Sequence, residues 1–204
     1  MDALVLAGGQ ATRLGGTSKP SLIAPNGRTA LANVVDVCRQ VGARRIVVVG
    51  PVVEIECIIG LPLPEDIWVV QEEPPFSGPA NAVAAGVLRL PLPGLGDATL
   101  VLACDMPGVL AGVLALLAVP LVGDGVIGVS GGHDQWMLGL YRTSALRRAC
   151  QGLRPNTSMR DLLGGLDLTR VMVDDGVVDD LDSLDDLSRW GYSRPRNGSV
   201  DLGD

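Results

Sequence analysis

The chain of 204 residues is poor in several residue types on which common chemistries depend. It has one histidine, His133, and one lysine, Lys19, against fifteen arginines. A lone histidine in the glycine turn Gly131-Gly132-His133-Asp134 builds no Ser-His-Asp arrangement, and a surface position is expected for it. Four cysteines, Cys38, Cys57, Cys104 and Cys150, are scattered without a C-x-x-C pair. That excludes a zinc site of ordinary spacing and predicts free thiols. Aromatic residues make up 3% of the chain, too few for a platform that stacks single-stranded nucleic acid, so no nucleic-acid partner is expected. No apolar stretch is long enough to span a bilayer, and Met1 leads directly into an apolar strand with no basic region or cleavage site. A soluble, cytoplasmic protein with no membrane partner is expected.

Hydrophobic residues make up 47% of the chain, enough for a substantial core built from Val, Leu and Ala. One domain over residues 1–192 is expected, followed by a polar, aperiodic tail at 193–204 that is expected to be disordered. The formal net charge of −7 is unevenly spread. Residues 1–50 hold six basic and two acidic side chains, and the remainder holds ten basic and twenty-one acidic. A positive field confined to the N-terminal region of an acidic protein suits a small polyanion better than a nucleic acid or an anionic membrane.

That region contains the most informative stretch, Ala3 to Pro20. An apolar strand, Ala3-Leu4-Val5-Leu6-Ala7, breaks into Gly8-Gly9 and passes Arg13 and Gly15-Gly16 to Lys19-Pro20. Glycines let a backbone approach a ligand closely, and clustered N–H groups form an anion nest. Two familiar phosphate loops fail on spacing. A Walker loop places its Lys directly after a glycine and before Ser or Thr, whereas Lys19 lies three residues beyond Gly16 and precedes Pro20. The dinucleotide fingerprint requires G-x-G-x-x-G opening a long helix, and this loop has adjacent glycine pairs. A chain that otherwise uses Arg keeps its single Lys where a compact charge suits a phosphate.

The stretch resembles the L-A-G-G-x-x-x-R-[ML]-G-G-x-x-K opening of the nucleotidyltransferases, in particular the molybdenum cofactor guanylyltransferase family. Leu6, Ala7, Gly8, Gly9, Arg13, Leu14, Gly15, Gly16 and Lys19 fall on the pattern. Ser18 stands where the guanylyltransferases usually carry Asp, and Lys19-Pro20 also occurs in relatives that handle sugar phosphates. Further along, Glu72, Gly78, Pro79 and Gly86 match the family's acidic residue, Gly-Pro and helix, with Asn81 and Ala82 as departures. Cys104, Asp105 and Pro107 match its C-D-x-P. Gln135, Leu138, Leu140, Tyr141 and Arg142 match its following strand, with Trp136 in place of Pro. Asp180-Leu181-Asp182-Ser183 matches the acidic form of a later element.

The pattern of apolar runs predicts strands at 3–7, 46–49, 67–70, 98–105, 125–130, 135–142 and 168–173. Helices are expected at 29–41, 80–90, 109–119, 143–153, 158–163 and 183–191, with 51–66 mostly loop. The resemblance implies a three-layer α/β/α sandwich with a mostly parallel, Rossmann-like sheet of the nucleotide-diphospho-sugar transferase type. It implies transfer of GMP from GTP to molybdopterin carrying molybdenum, with Mg²⁺ as cofactor, pyrophosphate as product and transient contact with molybdoenzyme maturation proteins. In that reading Arg13, Lys19 and Asp105 are catalytic, and Leu6, Ala7, Gly8, Gly9, Lys19, Glu72, Gly78 and Asp105 bind the nucleotide. Asp105 holds the metal, with Asp182 or Asp180 as a second ligand. Other readings stay open at this point. Asp105 is also placed to cap a helix beginning near Gly108, Pro79 to start an ordinary helix, and the aspartates of 174–186 to form a solvated surface. A second reading keeps the chemistry but takes CTP with the same pterin, or a sugar phosphate, and a nucleotide-binding regulator without catalysis is the alternative of another class.

Overall fold

In the computed structural model the described residues are 1–8, 16–94 and 97–195. The expectations for Gly9, Arg13, Leu14, Gly15 and the tail beyond 195 lie outside them. All five residues of the first strand, β1 (Asp2–Leu6), are buried, as suits an apolar run covered on both faces. Its residues alternate between two cores. Ala3 and Val5 belong to one, and Leu4 and Leu6 to the other.

The remaining strands are β2 (Ile46–Val49), β3 (Ile67–Val70), β4 (Ala98–Ala103), β5 (Gly125–Ser130), β6 (His133–Arg142) and β7 (Leu168–Met172). The helices are α1 (Ala30–Gln40), α2 (Val52–Ile59), α3 (Pro79–Arg89), α4 (Val109–Leu117), α5 (Thr143–Ala149), α6 (Met159–Leu163) and α7 (Leu184–Trp190). The strands form one seven-stranded sheet in the order β3-β2-β1-β4-β6-β5-β7. β1 runs parallel to β2 and β4, β2 to β3, and β5 to β7, while β6 is antiparallel to β4 and β5. The three-layer, mostly parallel sheet therefore stands as expected. One core gathers α1, α2 and α4 through Leu31, Val34, Ile55, Val113 and Leu116. The other gathers α3, α5 and α6 through Val83, Val87, Leu146 and Leu162.

Local signals explain the helix ends. Thr29 Oγ1 accepts the Ala32 N–H at the start of α1, and Ser158 Oγ accepts that of Asp161 in α6. Ser183 and Asp186 form a reciprocal capping box on α7. α3 packs closely on the sheet because residue 86 is glycine: a Cβ there would lie 2.9 Å from Val49 Cγ2 and 3.0 Å from Leu4 Cδ2.

Several expectations need correction. Residues 51–66 are not mostly loop, since α2 occupies eight of them. Its Val and Ile are weak helix formers between prolines, but Ile55 is fully buried and Ile58 and Ile59 pack beside it. His133 and Asp134 begin β6 rather than extending the turn. β4 ends at Ala103, so Cys104 and Asp105 follow the strand instead of closing it. α5 ends at Ala149, four residues before Leu153. Ser193 makes a backbone bridge to Ile23, so ordered pairing reaches the first residue of the expected tail.

The strand order turns at β1. β2 and β3 lie on one side and β4 on the other, which opens a crevice at the carboxyl ends of β1 and β4. Ligands of open α/β sheets bind at such a switch point.

Candidate active site

β1 delivers Leu6, Ala7 and Gly8 to that crevice, and β4 delivers Cys104 and Asp105. Asp105 is not a helix cap. Gly108 occupies the N-cap of α4, and no side chain bonds there. The Asp105 carboxylate instead accepts from Lys19 Nζ at 2.5 Å. Asp182 Oδ1 accepts from the same ammonium. Lys19, Asp105 and Asp182 thus converge from segments 86 and 163 residues apart.

A small third core makes this convergence possible. Leu22, Ala30, Leu181 and Leu187 are buried together, with Trp190 and Tyr192 against them. Leu22 anchors the 3₁₀ turn Lys19–Ser21, and Leu181 anchors the two aspartates that flank it. The Leu181 N–H also donates to the Asp105 backbone carbonyl at 3.1 Å. Leu181→Ala would leave a cavity in this satellite core. We expect it to lower unfolding stability by about 2–5 kcal/mol. Denaturant titration checks the loss, and turnover should fall with it because Asp182 loses its anchor.

A cleft of about 630 Å³ opens above these groups. Among the expected site residues, Leu6, Gly8, Lys19, Glu72, Gly78, Asp105 and Asp182 line it together. Ala7 is buried behind the wall, with its N–H on the Val49 carbonyl at 2.7 Å. Gly9 and Arg13 lie outside the described residues. Asp180 also lines the cleft, and so do Phe76, Met137 and Ala82, which the sequence reading did not single out as site residues. The one available signal for Phe76 was that it is the only phenylalanine in the chain.

The electrostatics are strongly local. Burial alone would depress the pKa of Lys19, but the charge and hydrogen bond of Asp105, then those of Asp182, outweigh it and hold the ammonium protonated above its ordinary range. Burial, and secondarily the Asp105 charge, pushes the Asp180 carboxyl up to about 6. Burial, reinforced by Asp105, holds the Cys104 thiol well above its ordinary range. A protonated, enclosed thiol is a poor nucleophile.

Among the described residues no group of three or more His, Cys, Asp or Glu is placed to hold a metal. The pair Asp105–Asp182 is nevertheless suited to magnesium. Both carboxylates reach one cationic atom, so both can reach one divalent ion, and magnesium characteristically takes one or two carboxylates, waters and substrate phosphates.

The other end of the cleft is built differently. Gly78, at φ +98°, turns the chain into Pro79 at the first position of α3. Glu72 is 6% exposed, and its Oε1 accepts the Phe76 N–H at 2.9 Å. Its Oε2 is buried and has no partner among the described residues. Asn81, a departure from the family pattern, braces this loop by donating to the Ser77 carbonyl at 2.7 Å. The matching strand β6 has a largely structural role. The buried Tyr141 hydroxyl donates to the Trp136 carbonyl at 3.1 Å, and Arg142 binds the Gly123 and Leu121 carbonyls at the far end.

A mostly parallel sheet, with a cleft at its switch point and a lysine and two aspartates on the floor, defines an α/β protein of the nucleotidyltransferase fold. The chain belongs to the MobA-like NTP transferase domain family, whose sequence model matches residues 3–171. No curated protein matches it significantly in sequence. Among solved structures it is similar to Rv0371c from Mycobacterium tuberculosis H37Rv, with 19% identity over 93% of this chain and 96% of that one and a TM-score of 0.69. That protein has also been solved in complex with manganese. The chain is similar to molybdopterin-guanine dinucleotide biosynthesis protein A from Archaeoglobus fulgidus, with 19% identity, 93% and 96% coverage and a TM-score of 0.62. It is also similar to 2-C-methyl-D-erythritol 4-phosphate cytidylyltransferase from Francisella tularensis, with 16% identity, 93% and 98% coverage and a TM-score of 0.69. At these identities the likeness establishes the fold.

Proposed function

We propose that the protein transfers GMP from GTP to molybdenum-loaded molybdopterin in the cytoplasm, releasing pyrophosphate. The observation that carries nucleotidyl transfer is the meeting of Lys19, Asp105 and Asp182 at the floor of the cleft, in a chain of this family. The molybdopterin acceptor is supported by the motif resemblance and by the name of the Archaeoglobus neighbour.

In the reaction an oxygen of the acceptor phosphate attacks the α-phosphorus of the nucleotide. The bond from that phosphorus to the bridging oxygen breaks, and its electron pair leaves with pyrophosphate. The acceptor oxygen is already anionic, so no general base is required, consistent with the exposed His133 and the protonated Cys104. What remains for the protein is orientation and charge neutralisation. Gly8, with Gly9, gives the nucleotide close access to the backbone. Lys19, with Arg13, neutralises the triphosphate and the charge growing on the leaving group. Asp105 and Asp182 would hold magnesium. When bound, it supplies divalent charge that draws the two phosphates together.

Guanine is favoured by Glu72. A buried carboxylate oxygen without a partner is costly unless a ligand donates to it, and guanine presents N1–H and an amino group on one edge. Pyrophosphate release with GTP, CTP, ATP and UTP, each offered molybdenum-loaded molybdopterin, tests the reading. GTP is expected to be preferred, and Glu72→Gln to narrow the preference by about tenfold. Preference for CTP or a sugar phosphate acceptor would move the protein to a sister activity. Nucleotide binding without any pyrophosphate would make it a regulator.

A further inference from the structure

The strained residue in this cleft is Phe76. Its φ is +60°, a left-handed conformation that a bulky side chain adopts only when its surroundings impose it. Here they do so from two sides. Glu72 Oε1 holds the Phe76 N–H at 2.9 Å. The next residue, Ser77, has its carbonyl held by the Asn156 N–H at 3.0 Å and by Asn81 Nδ2 at 2.7 Å. Asn156 is itself at φ +61°, so both contacting loops are shaped by this junction. The strain does not serve to bury the ring. Phe76 is 50% exposed, although it is the chain's only phenylalanine and belongs to a strongly apolar residue type that interiors usually enclose. Phe76 instead forms part of the cleft wall, which it shares with Glu72, Gly78 and Pro79.

We propose that Phe76 is the platform on which the nucleobase stacks, and that Glu72 and Asn81 position it there. This rests on the reading of the cleft as a nucleoside triphosphate site. The cleft has two chemically distinct ends: a charged floor at Lys19, Asp105 and Asp182, and an aromatic face beside an unpartnered acceptor at Phe76 and Glu72. A nucleotide has the matching polarity, with phosphates at one end and a planar heteroaromatic carrying N–H donors at the other. Aromatic faces stack bases with little regard to sequence, so Phe76 supplies affinity for any base, while Glu72 discriminates between them.

Calorimetric titration of the full chain with GTP and, separately, with inorganic tripolyphosphate tests the assignment. Phe76→Ala is expected to weaken GTP binding by about tenfold, the worth of one base stack, and to leave tripolyphosphate binding unchanged. Phe76→Trp should restore GTP affinity. Phe76→Gly should lose GTP affinity as the Ala variant does while unfolding no earlier than wild type, because glycine relieves the left-handed strain. GTP affinity unchanged in Phe76→Ala, an equal loss for tripolyphosphate, or a wild type that binds no nucleotide would overturn the proposal. These binding readouts are separate from turnover. A protein that binds GTP through Phe76 but releases no pyrophosphate would refute the transferase reading alone.

Discussion

Asp105→Ala is expected to lower pyrophosphate release by about a thousandfold or more, the scale of several kcal/mol of lost charge stabilisation in the transition state. Asp105 follows the central strand β4 and reaches the cleft floor, where it meets both Lys19 and the segment of Asp182. Removing its carboxylate takes away one of two oxygen donors able to share a divalent ion. The fold should survive, because Leu181 is tied to the Asp105 backbone carbonyl rather than to the side chain. Lys19 also retains Asp182 as a partner, so it is not left as an uncompensated charge. Steady-state pyrophosphate release, paired with a thermal unfolding curve, separates loss of chemistry from loss of structure. Asp105→Asn, which keeps the shape, should be nearly as inactive. Near-normal turnover in either folded variant would remove Asp105 from the mechanism.

Lys19→Ala should produce effects of opposite sign in two measurements. Turnover falls by about a hundredfold or more, because a preorganised cation no longer meets the triphosphate and leaving pyrophosphate. Affinity of the nucleotide-free protein for manganese rises, by about tenfold, because the ammonium and a divalent ion compete for the same two carboxylate oxygens. The Lys19 ammonium is fixed between Asp105 and Asp182, and those charges keep it protonated, so it cannot yield the site by losing its proton near neutrality. It must move to let a metal in, and a bound triphosphate offers it a new anionic partner. Electron paramagnetic resonance of manganese reads the affinity directly, without requiring activity. An unchanged or weaker manganese affinity in Lys19→Ala would show that the lysine does not guard that site.

Much of this was legible in the sequence because the relevant signals are local. The buried runs at 46–49 and 125–130 and the helical spacing from Thr29 each announce their structure over a few residues. The helix α2 was hidden because its β-branched residues and flanking prolines outweigh a short apolar face. A topological argument would have found it, since parallel strands β2 and β3 require a crossover between them. The site residues named by motif did gather in one cleft where the structure describes them, apart from Ala7 behind its wall. What spacing could not convey was the joint grip of Asp105 and Asp182 on Lys19. That contact depends on the satellite core around Leu22 and Leu181, which joins distant parts of the chain. Phe76 was equally hidden. Its significance lies in a backbone conformation and a cleft wall, and neither leaves a periodic trace in sequence.

The central claim is nucleotidyl transfer to a phosphorylated acceptor, and following the α-phosphate tests it most directly. The protein is incubated with magnesium, molybdenum-loaded molybdopterin and GTP labelled at the α-phosphate, and both products are quantified. The account predicts that label appears in the acceptor as a dinucleotide, in amounts equal to the pyrophosphate released, and only when the acceptor is present. Label found solely in free GMP or GDP, or no turnover of any nucleoside triphosphate by the folded protein, would contradict it.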